Sequence, residues 1–208
     1  MDLAISTGAQ GLMWAILSLG VFLSFRILDV PDMTCEGSFP LGGAIAATMV
    51  VAGVSPWLAI VAAVIGGMVA GAVTGILYTK LKIPAILAGI LTQISLWSIN
   101  LRIMGGKSNL PLLKVKTLIS GLAASFGMTQ AQASMIVGIV LAVAAILFLY
   151  WFFGTERGCS LRATGANQSM ARAQGINTNT NIVLGLMLSN GLVALCGGML
   201  SQYQNFAD

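Results

Sequence analysis

The sequence predicts an all-α membrane protein: a polytopic transmembrane helix bundle of about six spans with one short cytoplasmic helix, as a single domain over residues 1–208. Three observations predict it. Of the 208 residues, 57% are hydrophobic and 8% are charged, against roughly 25% charged in a soluble domain. Most residues of a small domain face solvent, so a water-soluble fold of this size could not hide that much apolar surface. The apolar residues are also gathered into stretches close to the roughly 20 residues that cross a bilayer. Backbone polar groups in lipid must pair within their own segment, which makes these stretches helices rather than strands.

The spans run roughly over residues 9–25, 38–54, 57–78, 84–101, 132–153 and 182–204. The N-terminus, MDLAISTGAQ, has no positively charged leader, so no cleavable signal peptide is expected and the first span stays in the mature protein. Between the first two spans lies ILDVPDMTCEGSFPLGG, with Asp29, Asp32, Glu36 and two prolines. It reads equally as an interfacial loop or as a re-entrant element bent toward the core. The second span is short, with Pro40 and two glycines, and is expected to be tilted or broken. Pro40 and Pro84 suit the first turns of their helices.

In the third span Ala59, Ala63, Gly67, Gly71 and Gly75 recur every four residues. Small residues at that spacing let helix backbones touch, either inside one subunit or at a seam between two. The fourth span carries Thr92, Gln93, Ser95, Ser98 and Asn100, with Gln93, Trp97 and Asn100 on one helical face. The sixth carries Ser189, Asn190 and Gln202. Such groups either bond helix to helix, at about 0.6–2 kcal/mol each, or line a solute path, for which Gln93, Trp97, Asn100, Ser189 and Asn190 are the candidates. The segment 105–132 is too polar to span and reads as an external loop with a short surface helix.

Lys and Arg in short loops set orientation. With the N-terminus outside and six crossings, Arg26, Lys80, Lys82, Arg157, Arg162 and Arg172 face the cytoplasm, while Arg102, Lys107, Lys114 and Lys116 face outside. That bias places the basic, glycine-punctuated stretch GCSLRATGANQSMARAQGIN, Gly158 to Asn177, in the cytoplasm. Gly165 permits a sharp turn after Leu161–Thr164. Asn167 is then a good N-cap, Gln168 to Gln174 favour helix, and Gly175 suits the position past its end. Two turns are marginal alone in water, so this helix needs a surface to dock against.

Several functions are disfavoured. The net charge of +4 suits anionic lipid headgroups, and no aromatic-rich basic stretch points to nucleic acid. There is no His, which removes the commonest general base and metal ligand, and neither a metal nor a cofactor is expected. Cys35, Cys159 and Cys196 read as free thiols. Gly106-Lys107-Ser108 resembles the end of a phosphate-binding loop, but the glycine required five positions earlier is Leu101, so no ATP hydrolysis is expected of this chain. All six carboxylates fall outside the spans as drawn, which disfavours both catalysis and a proton- or sodium-coupled carrier.

The basic stretch also carries a resemblance. Glu156-Arg157-Gly158, Leu161 through Asn167 and Ala171 through Asn177 resemble the coupling segment of the ABC-importer permeases that include the branched-chain amino acid and ribose systems. The stretch from Gly185 to Gly198 resembles the small-residue helix that follows it there. Asp32-Met33-Thr34 and Glu36 to Gly42 are similar to a motif of one subgroup, the uncharacterised or aromatic-amino-acid-type permeases. The resemblance implies a permease subunit, not an enzyme, in the bacterial plasma membrane. It implies a path for a small solute such as an amino acid, a second permease copy, an external solute-binding protein and a separate ATPase. The ATPase would be contacted through Arg162, Gly165, Ala166, Asn167, Ala171, Arg172 and Gly175. Family members usually continue with further spans beyond SQYQNFAD, so C-terminal spans are expected to be missing here. A non-transporting membrane scaffold that recruits a cytosolic partner is the alternative.

Overall fold

The computed structural model describes residues 2–112, 115 and 117–207. Lys114 and Lys116, two of the four cations assigned to the outside, lie beyond the described residues, as does the C-terminal Asp208. The described residues form nine α-helices: α1 (Asp2–Phe22), α2 (Cys35–Val51), α3 (Pro56–Thr79), α4 (Ala85–Ile103), α5 (Leu118–Phe126), α6 (Gln130–Gly154), α7 (Glu156–Ala166), α8 (Gln168–Ala173) and α9 (Thr178–Gln204). Five segments are long and apolar enough to cross a membrane: Ala4–Ile27 and the helices α3, α4, α6 and α9. Two-residue strands β1 (Leu110–Pro111) and β2 (Phe206–Ala207) pair antiparallel.

Helix α9 is the axis of the bundle. Seventeen of its 27 residues are buried, including Leu186, Asn190, Val193, Ala194 and Met199. Helices α1, α2 and α3 pack directly on it. Its neighbours reveal the direction of each span. Tyr203 Oη near one end of α9 donates to the Ser6 carbonyl at 3.2 Å, while Ser189 Oγ donates to the Gly20 carbonyl at 2.8 Å; α1 therefore runs antiparallel to α9. Helix α3 is antiparallel too, since Gly67 faces Asn190 and Ala194, Gly71 faces Leu186, and Gly75 faces Val183. The glycine ladder thus packs inside the protomer: a Cβ at Gly67, Gly71 or Gly75 would overlap the α9 backbone or side chains.

Helix α2 runs parallel to α9, with Ser38 beside Asn190 and Gly42 against Ala194. It starts near the middle of α9, so it covers only half of the bundle's depth. The other half is crossed by the preceding chain. After α1, residues Leu23–Ile27 form a π-helical turn, Asp29 adopts a left-handed φ of 52°, and the chain then climbs into the core. Leu28, Val30, Asp32 and Thr34 are each 3% exposed or less. The segment is therefore the element bent toward the core, and the second crossing is an irregular, largely buried stretch followed by a helix. Pro40 and the glycine pair do not break α2; Gly42 and Gly43 instead let it lie close against α9. The sequence placed the boundary of this span at residue 38 because the acids ahead of it resemble a loop.

Helix α4 returns parallel to α2, with Gly89 against Met33, Gly37 against Gln93 and Leu96, and Thr48 Oγ1 donating to the Ile103 carbonyl at 3.4 Å. Helix α6 lies on α1, where Gly138 faces Leu12 and Ala142 joins Ile16 in a buried cluster. All connections then alternate between the two ends of the bundle. One end holds the segment 104–129, with α5 and the β1–β2 pair. The other holds residues 80–84 and the α7–α8 segment. The outer faces of α3, α4 and α6 are apolar, with Trp57, Ile65, Ile94, Leu147 and Trp151 all more than half exposed. Such a surface is stable only against lipid or another membrane subunit.

Three local predictions need correction. The segment expected to be a loop with a turn at Gly165 is helix α7, capped by the Thr155 hydroxyl, which accepts from Gly158 N. Gly165 lies inside that helix, where a Cβ would overlap the Ile27 carbonyl; the glycine serves close approach rather than a turn. The short helix expected in segment 105–132 is α5, held by a Thr117–Ser120 capping box, but Leu118 and Ile119 bury one side of it in the core rather than leave it on the surface, and the segment adds the β1 strand. Finally, two carboxylates assigned outside the spans lie at mid-depth, as follows.

Candidate functional site

Two polar constellations meet where α2 begins. The first is buried. Asp32 is 2% exposed, and its Oδ1 accepts from the Thr34 backbone N–H at 2.9 Å. Its Oδ2 accepts from Asn190 Nδ2 at 2.6 Å. Asn190 is itself spent on both sides, since its Oδ1 accepts from Ser38 Oγ at 2.6 Å. From Thr34 a hydroxyl chain continues: Thr34 Oγ1 to Thr74 Oγ1 is 2.7 Å, and Thr74 Oγ1 donates to Thr92 Oγ1 at 2.9 Å. One run of hydrogen bonds therefore joins α9, the re-entrant stretch, α2, α3 and α4. Asp32 also precedes the first turn of α2, whose exposed N–H groups and dipole favour a negative group there.

The second constellation is open. Glu36, on the first turn of α2, is exposed, and its Oε2 accepts from Gln93 Nε2 of α4 at 2.7 Å. Together with Trp97, Asn100, Met104 and Ser108 these residues line a cleft of about 370 Å³. The face predicted from the i, i+4, i+7 spacing of Gln93, Trp97 and Asn100 is thus brought to one place. Trp97 is 68% exposed there. Asn100 is different: its amide donates to the Gly37 carbonyl at 3.5 Å, or, turned over, bridges the Leu96 carbonyl and Leu41 N. It forms the wall rather than presenting a free group.

The other two path candidates lie elsewhere. Ser189 faces α1, bonded to Gly20, and Asn190 belongs to the buried network. Sequence reasoning missed Glu36 as the partner of Gln93 and Asp32 as the partner of Asn190. The available signal was the density of three acids within eight residues, 29–36, next to a span. With Asp32 and Glu36 at mid-depth, the lack of intramembrane acids no longer counts against a coupled carrier; that distinction has to come from kinship.

At the far end, α7 is fixed to the bundle. Asn181 Nδ2 of α9 donates to Ser160 Oγ at 2.6 Å and to Thr164 Oγ1 at 2.9 Å. Arg162 Nη2 donates to the Phe153 carbonyl at 3.0 Å, satisfying an orphan acceptor at the end of α6. Helix α8 is held less. Asn167 caps it by accepting from Met170 N at 3.0 Å, Gly175 follows at φ 81°, and only Ala171 among its six residues is buried. Arg172 Nε donates to Thr178 Oγ1 at 2.8 Å, while Met170 is 60% exposed. Gly165, Ala166 and Asn167 form the joint between the fixed helix and the loosely held one.

A bundle with a discontinuous second crossing, mid-depth polar groups and a short helical pair at one end has the build of a multi-pass membrane protein. Residues 4–208 match the family described as "Branched-chain amino acid transport system / permease component", and the chain belongs to that family of bacterial plasma-membrane permeases. It is 42% identical over 208 residues, 98% of its own length, to the tyrosine transport system permease protein of Clostridioides difficile (strain R20291). It is 31% identical over 92% of its length to the autoinducer 2 import system permease protein LsrC of Salmonella typhi. Identity to the ribose import permease protein RbsC of Escherichia coli (strain K12) is 27% over 88% of the chain. The chain spans 66%, 52% and 56% of the lengths of these three proteins, respectively. No solved structure matches it.

Proposed function

We propose that this chain forms one half of the membrane path of an ABC importer. A second permease copy closes the path over the Glu36–Gln93–Trp97 face, and a separate ATPase docks on α7–α8. The observation that carries this reading is Glu36. It is exposed at mid-depth of the bundle, where a carboxylate facing hydrocarbon is strongly disfavoured. A water-filled path under a second subunit removes that cost.

The α7–α8 end is then cytoplasmic. Arg26, Lys80, Lys82, Arg157, Arg162 and Arg172 lie at that end, against Arg102 and Lys107 at the other among the described residues. Helix α8, with Met170 and Arg172 outward and little packing of its own, is the element that a partner surface would complete. Movement of α8 would reach the bundle through α7 and the Asn181 bonds. A binding protein outside would deliver the solute, which kinship suggests is an amino acid or similar small molecule.

The test is uptake into vesicles holding the permease with its ATPase and binding protein. ATP-dependent uptake that falls at least about tenfold with Gln93→Ala or Glu36→Ala is the expected result. Uptake unchanged in both would sink the path reading. Pull-down of the ATPase should be lost with Arg172→Glu or on deletion of 166–174; capture of the ATPase without any uptake is what a scaffold would give.

A further inference from the structure

We infer that the mid-depth cleft selects solutes by an ammonium group held at Glu36, with an apolar or aromatic body laid against Trp97. The inference rests on the reading that solute passes this cleft, and it adds the chemistry by which the cleft discriminates. Glu36 has one hydrogen bond, from Gln93 to Oε2; among the described residues nothing donates to Oε1. The single donor fixes the carboxylate toward the cleft without neutralising it. No Lys or Arg among the described residues lines the cleft, which leaves Glu36 as its charged lining group.

The remaining groups narrow the choice. Asn100 is spent on backbone, which leaves Glu36 as the charged anchor and Ser108 as a second polar group at the mouth. Trp97 presents an indole that is 68% exposed, and an indole face attracts both a cation and another ring. Leu101, Met104 and Pro40 complete an apolar floor. At about 370 Å³ the cleft lies at the lower end of the range for small-molecule sites, large enough for one ring with a short amine arm. A carboxylate-only solute of the same shape would face Glu36 with no counter-charge, which rejects it.

The experiment uses the permease assembled with its second copy and ATPase in nanodiscs, carrying Trp14→Phe, Trp57→Phe and Trp151→Phe so that Trp97 is the single reporter. Phenethylamine, 3-phenylpropionate and 3-phenylpropanol serve as cationic, anionic and neutral probes of one shape. Phenethylamine should shift Trp97 emission, and its half-saturating concentration should rise about tenfold or more with Glu36→Gln. Glu36→Asp should restore part of that loss, and 3-phenylpropionate should give no shift over the same range. Equal responses to the three probes, no response to the amine, or an amine response unaffected by Glu36→Gln would overturn the inference. Uptake separates the two layers. If Glu36→Gln abolishes uptake while the three probes respond alike, the path stands and ammonium selection falls. If amine selection holds while Glu36→Gln leaves uptake intact, selection stands and the path runs elsewhere.

Discussion

Asp32 and Glu36 sit four residues apart on either side of the start of α2, and their surroundings assign them opposite tasks. Asp32 is enclosed, with each oxygen receiving a donor, and it ties the re-entrant stretch to α9. Replacing Asn190 by Ala strands a buried carboxylate and the Ser38 hydroxyl together, which should cost about 2–4 kcal/mol. Ser189→Ala gives up one neutral bond to Gly20 and should cost about 1 kcal/mol. Thermal unfolding in detergent, run on both variants, should therefore rank Asn190→Ala well below Ser189→Ala; equal melting would mean that the buried network is not a fastening. Glu36 is exposed, so Glu36→Gln should melt with the parent protein. At this scale the sequence revealed the residue types but not their partners. The Asp32–Asn190 bond joins positions 158 apart, and nothing in local spacing pairs them. The Gln93–Trp97–Asn100 face was legible because helical periodicity alone puts those three together.

Among the elements, the glycines show how one residue type serves separate ends. Along α3 they are set by α9: a Cβ at Gly71 would overlap the Leu186 carbonyl, so Gly71→Val should force the two helices apart and cost several kcal/mol, on the order of a core overpacking defect or more. Gly11 of α1 has nothing within 4 Å of its would-be Cβ, and Gly11→Ala should be neutral or stabilising by up to about 1 kcal/mol. A stability series that failed to separate these two would count against the packing described. The same ambiguity explains the misreading of α7. Gly165 in sequence is compatible with a turn or with a close approach, and only the backbone of Ile27 lying across it decides. Helix α8 was legible from its punctuation, Asn167 and Gly175, because capping is a local property. Asn167→Ala should remove the cap, worth about 1 kcal/mol locally, and weaken ATPase capture without unfolding the bundle, which far-UV circular dichroism and pull-down would show together.

For the whole molecule, the membrane class and the approximate place of the five long spans were legible, since hydropathy is additive over a window and insensitive to detail. The composite second crossing was not. A re-entrant stretch is polar where it is buried, and buried polarity looks like a loop until its partners are known. The two-residue strands were equally hidden, being too short to carry a period. Orientation can be measured with a native reporter. Cys159 is exposed at the α7 end, whereas Cys35 and Cys196 are buried. A membrane-impermeant maleimide should label Cys159 in inside-out vesicles and spare it in intact cells. In a Cys159→Ser background, Lys107→Cys should show the reverse. The opposite pattern in both would invert the protein and remove the ATPase surface from the cytoplasm.

Helix α9 runs unbroken for 27 residues, and that continuity gives the two faces of the membrane a common angular phase. Near its start Asn181 points at α7; near its end Gln202 Oε1 accepts from Leu118 N of α5 at 2.9 Å, and Tyr203 reaches Ser6. One residue inserted at its midpoint would turn the second half by about 100° and lengthen it by about 1.5 Å relative to the first. Either the outer fastenings or the inner ones must then be lost. A substitution in such a helix is felt where it packs, but a change of length is felt at both ends at once and is tolerated only in steps close to whole turns.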